Sequence, residues 1–274
     1  MYNPEKEISQ NITLDQVFQK AKRVLEREMI KPGQFQYLYG EEIIRADEEY
    51  VFEKEAEFIK KRDPEKERVG KLAAVFEGIV HEQAELNEWL GSDVTTIKSS
   101  RYDDIKNGVD SVAEFREGPV ATSYLAFAID VTFSSDTEKK FERIRGEISR
   151  GELARVKYFV SDHTGFMGEL KMIPRVVVGA DAKTVKELSE LWLEKDNKAL
   201  ANHPIQFQIL EEILIQLRAF ENYATRVKHH KLAVKFENSR KLIERIMEEK
   251  KMTIEDFGVR DSVFESIRES LRSF

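Results

Sequence analysis

SYLAFAIDVTF (123–133) and, shortly before it, NGVDSVAEF (107–115) read as two neighbouring β-strands. Side chains alternate across a strand, so Leu125, Phe127, Ile129, Val131 and Phe133 share one large apolar face. The other face carries Tyr124, Ala126, Ala128, Asp130, Thr132 and Ser134: small at first, then polar. That is the pattern of a strand whose end opens into a cleft. A carboxylate there is costly unless it is paired or binds a cation. Gly-Pro in REGPV (116–120) reads as a hairpin turn. A hairpin centred near Val120 sets Asp110 opposite Asp130, with Cβ atoms about 4.5–5.5 Å apart. A shift of two residues would bring in Glu114 or Thr132 instead. Two carboxylates so placed must share a proton or a cation. Hard oxygen donors with no Cys or His nearby suit Mg²⁺ or Mn²⁺. The plain alternative is a solvent-facing pair on an edge hairpin, each acid taken up by a nearby Lys or Arg.

Outward from these strands the pattern is helical on both sides. Apolar spacing predicts helices over 13–29, 41–61 and 67–90, the last ending at Gly91 with Val69, Leu72, Phe76, Ile79, Val80, Leu86 and Leu90 on its buried face. After the two strands, Ser135 and Glu138 have capping-box spacing for a helix that Gly151 ends. ARVKYFV (154–160) and KMIPRVVVGAD (171–181) read as further strands, the second apolar enough to be covered on both faces. Helices are expected again over 182–195, 204–224, 238–250 and 262–272. The fold class is α/β of mixed type. A small mixed sheet forms a core over 67–181, between an N-terminal helical extension, 1–66, and a C-terminal helical region, 182–274, packed on the core.

Composition limits the function. The 274 residues carry a formal charge of −7, which excludes a globally basic nucleic-acid binder but not a local basic face. The absence of cysteine excludes disulfides, thiolate metal sites and thiol nucleophiles. No apolar run approaches the roughly 18 residues of a membrane span, and the polar start MYNPEKEISQ lacks a signal-peptide core, so a cytoplasmic protein without a membrane partner is expected. The five histidines show no HExxH spacing, and GxSxG and the phosphate-cradling glycine motifs are missing. His163 in SDHTG reads as a turn residue. RVKHHKLAVKFENSRK (226–241) is locally basic and suits either a phosphate backbone or an exposed helix end. YDD (102–104) reads as a loop feeding the cleft or as a turn before the strand.

The arrangement resembles the PD-(D/E)XK nuclease superfamily over residues 77–160. That superfamily has a helix, a three-strand meander, a helix and a fourth strand, with acids on the first helix and on the second and third strands. Asp110 in NGVDSV matches the second-strand acid, and DVT (130–132) stands where acid-x-Lys belongs. The resemblance implies a restriction-endonuclease-like core, a DNA or RNA substrate, and Mg²⁺ or Mn²⁺ held by Asp110, Asp130, a helical acid and the carbonyl of Val131. Thr132 replaces the motif's lysine. Lys140, on the following helix beside Phe141 and Ile144, is the substitute, with Thr132 as a weaker hydrogen-bonding group. Glu77 is the preferred helical acid, with Glu82 and Glu85 open. The words YDDIKNGVD, AIDVTF, VKYF and HPIQ are also similar to a bacterial family of hypothetical proteins, which implies nothing further about activity. From another class, a non-catalytic nucleic-acid-binding or assembly module would keep the same fold and use its C-terminal helices for partners, including a second copy.

Overall fold

The computed structural model describes residues 13–61, 63–116, 122–130, 135–250 and 260–274, with backbone alone at 126–130 and 135–137. Helix α1 (Leu14–Glu28) starts at a capping box between Thr13 and Gln16 and buries Val17, Ala21, Val24 and Leu25. A 3₁₀ turn (Pro32–Phe35) leads into the short α2 (Gln36–Tyr39) and then α3 (Glu41–Lys60), which buries only Ile44. Helix α4 (Pro64–Leu86) is capped by Asp63, which accepts from the Lys66 amide, with proline at the first helical position. It ends earlier than expected. Leu86 is exposed, while Trp89 and Leu90 are buried beyond the helix. Gly78 lets α1 close on α4: a Cβ there would lie 3.1 Å from that of Ala21.

Strand β1 (Val94–Lys98) has no counterpart in the sequence reading. A π-helical turn (Asp103–Asn107) ends at Gly108, whose φ is +63°. Strands β2 (Ser111–Arg116) and β3 (Thr122–Asp130) follow, then α5 (Ser135–Ser149), β4 (Ala154–Val160), β5 (Met167–Ile173) and β6 (Arg175–Gly179). The main sheet has the order β1-β2-β3-β6. Its first three strands are antiparallel, and β6 runs parallel to β3. Residues 154–160 are therefore not the next strand of that sheet; β4 pairs with β5 in a separate hairpin. The expected single strand over 171–181 is divided between the two sheets at Pro174, which has no N–H for a ladder.

The chain closes with α6 (Ala182–Glu194), α7 (Asn197–Ala201), α8 (Ile205–Arg226), α9 (His230–Glu249) and α10 (Ser262–Ser270). The larger core contains residues of α1, α4, the main sheet, α6, α8, α9 and α10. A smaller one joins Ile97, Val109 and Val112 to the β4–β5 hairpin and to Phe35 and Ile44. The amphipathic face of α8 is buried inside the chain at Ile209, Ile213, Leu217 and Phe220. A polar row on the same helix covers the open edge of β6. Gln216 accepts from the Val177 amide at 2.8 Å and donates to its carbonyl at 2.6 Å, and Glu212 accepts from the Gly179 amide at 3.0 Å. An edge strand so covered has no free ladder for another chain. Among the described residues no helix is long and apolar enough to cross a membrane.

Candidate functional site

Lys98 ends β1 opposite Ser111, with its side chain 3% exposed. Its ammonium lies 2.7 Å from Glu77 Oε1 and donates to the Asp110 carbonyl at 2.8 Å. Glu77 reaches this point because Phe76, Ile79 and Val80 bury the adjoining stripe of α4. The two neighbouring aspartates of the π-helical turn take different roles. Asp103 is fully buried and accepts from Ser100 Oγ, Asn107 Nδ2 and the amides of Lys157 and Tyr158, tying the turn to β4. Asp104 pairs with Arg101, whose Nε lies 2.7 Å from Glu55 of α3. Its carboxyl group also hydrogen-bonds that of Asp110.

A hydrogen bond between two carboxyl groups needs a proton on one of them, and the surroundings place it on Asp110. Burial, then the negative charges of Asp104 and Glu77, push Asp110 up to about 7 against the pull of Lys140 and Lys98. Burial also raises Asp104, but Lys98 and Arg101 outweigh it and hold that carboxyl below its ordinary value. Burial raises Glu77 despite Lys98. For Lys98 itself burial favours the neutral amine, yet Glu77, Asp104 and Asp110 keep it charged. Three carboxyl groups, Glu77, Asp104 and the proton-bearing Asp110, thus act on one buried ammonium at the end of the sheet.

The sequence-derived candidates fall as follows. The β2–β3 ladder runs from Ser111 opposite Phe127 to Arg116 opposite Thr122, so the hairpin is centred on residue 119. Asp110 is therefore not directly opposed to Asp130. Continued one step, the ladder sets Asp110 level with Ala128, and Asp130 lies one same-face position beyond. Asp130 is the last residue of β3 and pairs with Gly179 of β6; its side chain, Val131 and Thr132 lie outside the described residues. Lys140 is near enough to Asp110 for its charge to act on that carboxyl. Glu82 and Glu85 are occupied elsewhere, Glu82 by the Trp192 indole and Glu85 by Thr96. Glu114 is fully buried away from the cluster and accepts from Ser161 Oγ and the amides of Asp162 and His163. His163 itself contacts Thr95 at 3.3 Å.

Lys98 and Arg101 go unmarked in the sequence reading, whereas Asp104 belongs to YDD (102–104), read there as a loop feeding the cleft or a turn before the strand. A lysine ending the alternating strand VTTIK was a signal of the same kind as Asp130. Among the described residues, no three His, Cys, Asp or Glu side chains converge closely enough to hold a metal ion. No protein-family model, curated protein or solved structure matches the chain.

Proposed function

We propose that the chain is a metal-dependent nuclease with a PD-(D/E)XK-like core, hydrolysing phosphodiester bonds of DNA or RNA. The observation that carries this reading is the meeting of Glu77 and Asp110 in one short-range electrostatic cluster, beside the sheet end where β3 finishes at Asp130. The order α4, β1, β2, β3, α5, β6 supports it, since it supplies a helix, a three-strand meander, a helix and a fourth strand parallel to the third. The resemblance then extends to residue 179 rather than 160.

The donors fit Mg²⁺ or Mn²⁺. They are hard oxygens, and the proton that Asp110 holds beside Asp104 marks negative charge that the neighbouring cations leave unneutralised. Asp110 and Asp130 would hold the ion with Glu77 and the Val131 carbonyl. A divalent ion there would offset charge on a phosphate oxygen and make nearby water more acidic. The chain's own residues do the rest. Asp110, titrating at about 7 without an ion, would give up its proton to ligate one, and Lys140, whose charge acts on that carboxyl, would orient the attacking water.

Lys98 favours a second reading. Its ammonium already answers the charge of Glu77, as in a non-catalytic module that keeps the fold and binds nucleic acid. Cleavage of plasmid, single-stranded DNA and RNA with Mg²⁺ or Mn²⁺ separates the two. The nuclease reading expects cleavage that Asp130→Ala, Asp110→Asn and Glu77→Gln each abolish. Equal cutting by wild type and Asp130→Ala would assign the activity to a contaminant. No cutting with any substrate would favour the binding module.

A further inference from the structure

Lys106 and Asn107 of the π-helical turn line a second cleft, of about 460 Å³, together with residues of α5 and of the β4–β5 hairpin. Its charge is opposite to that of the protein. Five cationic residues line it against two acids, in a chain whose formal charge is −7. One of those acids, Glu147, is shared by two guanidinium groups. Buried Arg175 donates to it, and Arg143 Nε donates to it at 3.2 Å. The two guanidiniums converge on Gly108, where a Cβ would lie 2.7 Å from Arg143 Nη1 and 3.1 Å from Arg175 Nη1. Burial and the charge of Arg175 both lower the pKa of Arg143, as expected of two cations held together by one carboxylate. Among the described residues Arg175 Nε is buried with no acceptor. Lys106 has no carboxylate there either; its ammonium sits 4.7 Å over the Tyr50 ring. At the rim, Arg150 Nε donates to Glu152 at 2.9 Å, Lys171 pairs with Glu169 at 2.9 Å, and Arg155 reaches that same Glu169 only at 4.0 Å. The five lining cations and Arg175 thus share three acids, Glu147, Glu152 and Glu169, and positive charge is left over.

The geometry points to this cleft as a binding site for a phosphate-bearing anion of nucleotide size, with Arg143 and Lys106 as its principal donors. Guanidinium pairs suit phosphate because their planar N–H forks match two oxygens at once. The volume lies within the roughly 300–1,000 Å³ of small-molecule sites. The same chemistry comes from a free nucleotide or from the terminal phosphate of a strand. The inference stands apart from the carboxylate cluster and needs no divalent ion.

Isothermal titration of the full chain at low salt, without divalent metal, tests it. Inorganic pyrophosphate and AMP are expected to bind and adenosine is not. Arg143→Gln and Lys106→Gln are each expected to weaken AMP by about tenfold or more, the loss of one charge-assisted hydrogen bond. Lys22→Gln, on the exposed face of α1, should leave binding unchanged. Lys106 is exposed, so its variant remains informative if Arg143→Gln fails to fold. An oligonucleotide that binds more tightly with a 5′-phosphate than with a 5′-hydroxyl identifies a strand end as the source; equal binding of AMP and the phosphorylated strand identifies free nucleotide. AMP binding no better than adenosine, or an equal loss in Lys22→Gln, would overturn the proposal. Because no cleavage is read, this result is independent of the nuclease assay.

Discussion

Replacing Lys98 by methionine removes the buried cation paired with Glu77, and the cost can be worked from the site. Both side chains are shielded, at 3% and 13% exposure, so solvent screening of their 2.7 Å pair is slight. Breaking such a pair from one side typically costs about 3–5 kcal/mol. Glu77 has one escape, which is to take up a proton. From its ordinary value of 4.5 that costs about 1.4 kcal/mol for each pH unit above it, or roughly 3.4 kcal/mol at pH 7. Because burial already raises Glu77 in the wild type, these are upper bounds: the expected loss is up to about 3 kcal/mol at pH 7, and up to roughly 1.4 kcal/mol at pH 5.5. For a chain of this size that is a fall in Tm of at most about 6–12 °C at neutral pH. Adding Glu77→Gln should recover most of the loss, since a neutral pair leaves no orphaned charge. Urea denaturation of the wild type, both single variants and the double variant at the two pH values reads all of this. A cost for Lys98→Met below about 1 kcal/mol at pH 7 would show that the pair is not buried as described. A cost independent of pH would show that Glu77 is not the group left behind.

Two further outcomes follow from α8. Glu212 is wholly buried, and burial, only partly opposed by its bond from the Gly179 amide, holds its pKa well above 4.5. The folded state thus keeps a proton that the unfolded chain releases. The stability it confers is complete below about pH 4.5 and falls as pH rises through the folded value. Glu212→Gln keeps an acceptor for that amide and removes the titration, so its advantage over wild type in urea denaturation should grow from pH 5 to pH 9. Gln216→Ala leaves the outward N–H and C=O of Val177 without partners, at about 1–3 kcal/mol. Faster hydrogen exchange at the Val177 amide and a lowered urea midpoint are expected, and unchanged exchange would refute the edge-covering role.

Periodicity carried much of the fold into view. α1, α4 and α8 each present apolar residues at helical spacing and bury most of that stripe, although in α4 Leu86 is exposed and Leu90 lies beyond the helix end. β1 escaped notice because Thr95 and Thr96 look polar, although their branched side chains suit a strand. The run over 171–181 looked continuous because hydropathy does not register that Pro174 lacks a donor. The partner of Asp110 was misjudged for a reason of register. Hairpin symmetry was drawn about Val120, and one residue of displacement at the turn carries two across the ladder, so Asp110 meets Asp104 from the π-helical turn. That contact depends on the backbone path of 100–108, which Ser100, Asn107 and the β4 amides fix through Asp103, and no local pattern encodes it. Lys98 and Asp130 share a legible feature: each is a charge at the end of a strand that runs into the same region.

The most direct test of the account is Mn²⁺ binding to the full chain, followed by the loss of its free-ion electron paramagnetic resonance signal. The carboxylate cluster predicts one bound ion per chain in the wild type, lost in Asp110→Asn and kept in Glu85→Gln, whose carboxylate serves Thr96 instead. No bound ion in the wild type, or undiminished binding in Asp110→Asn, would contradict it.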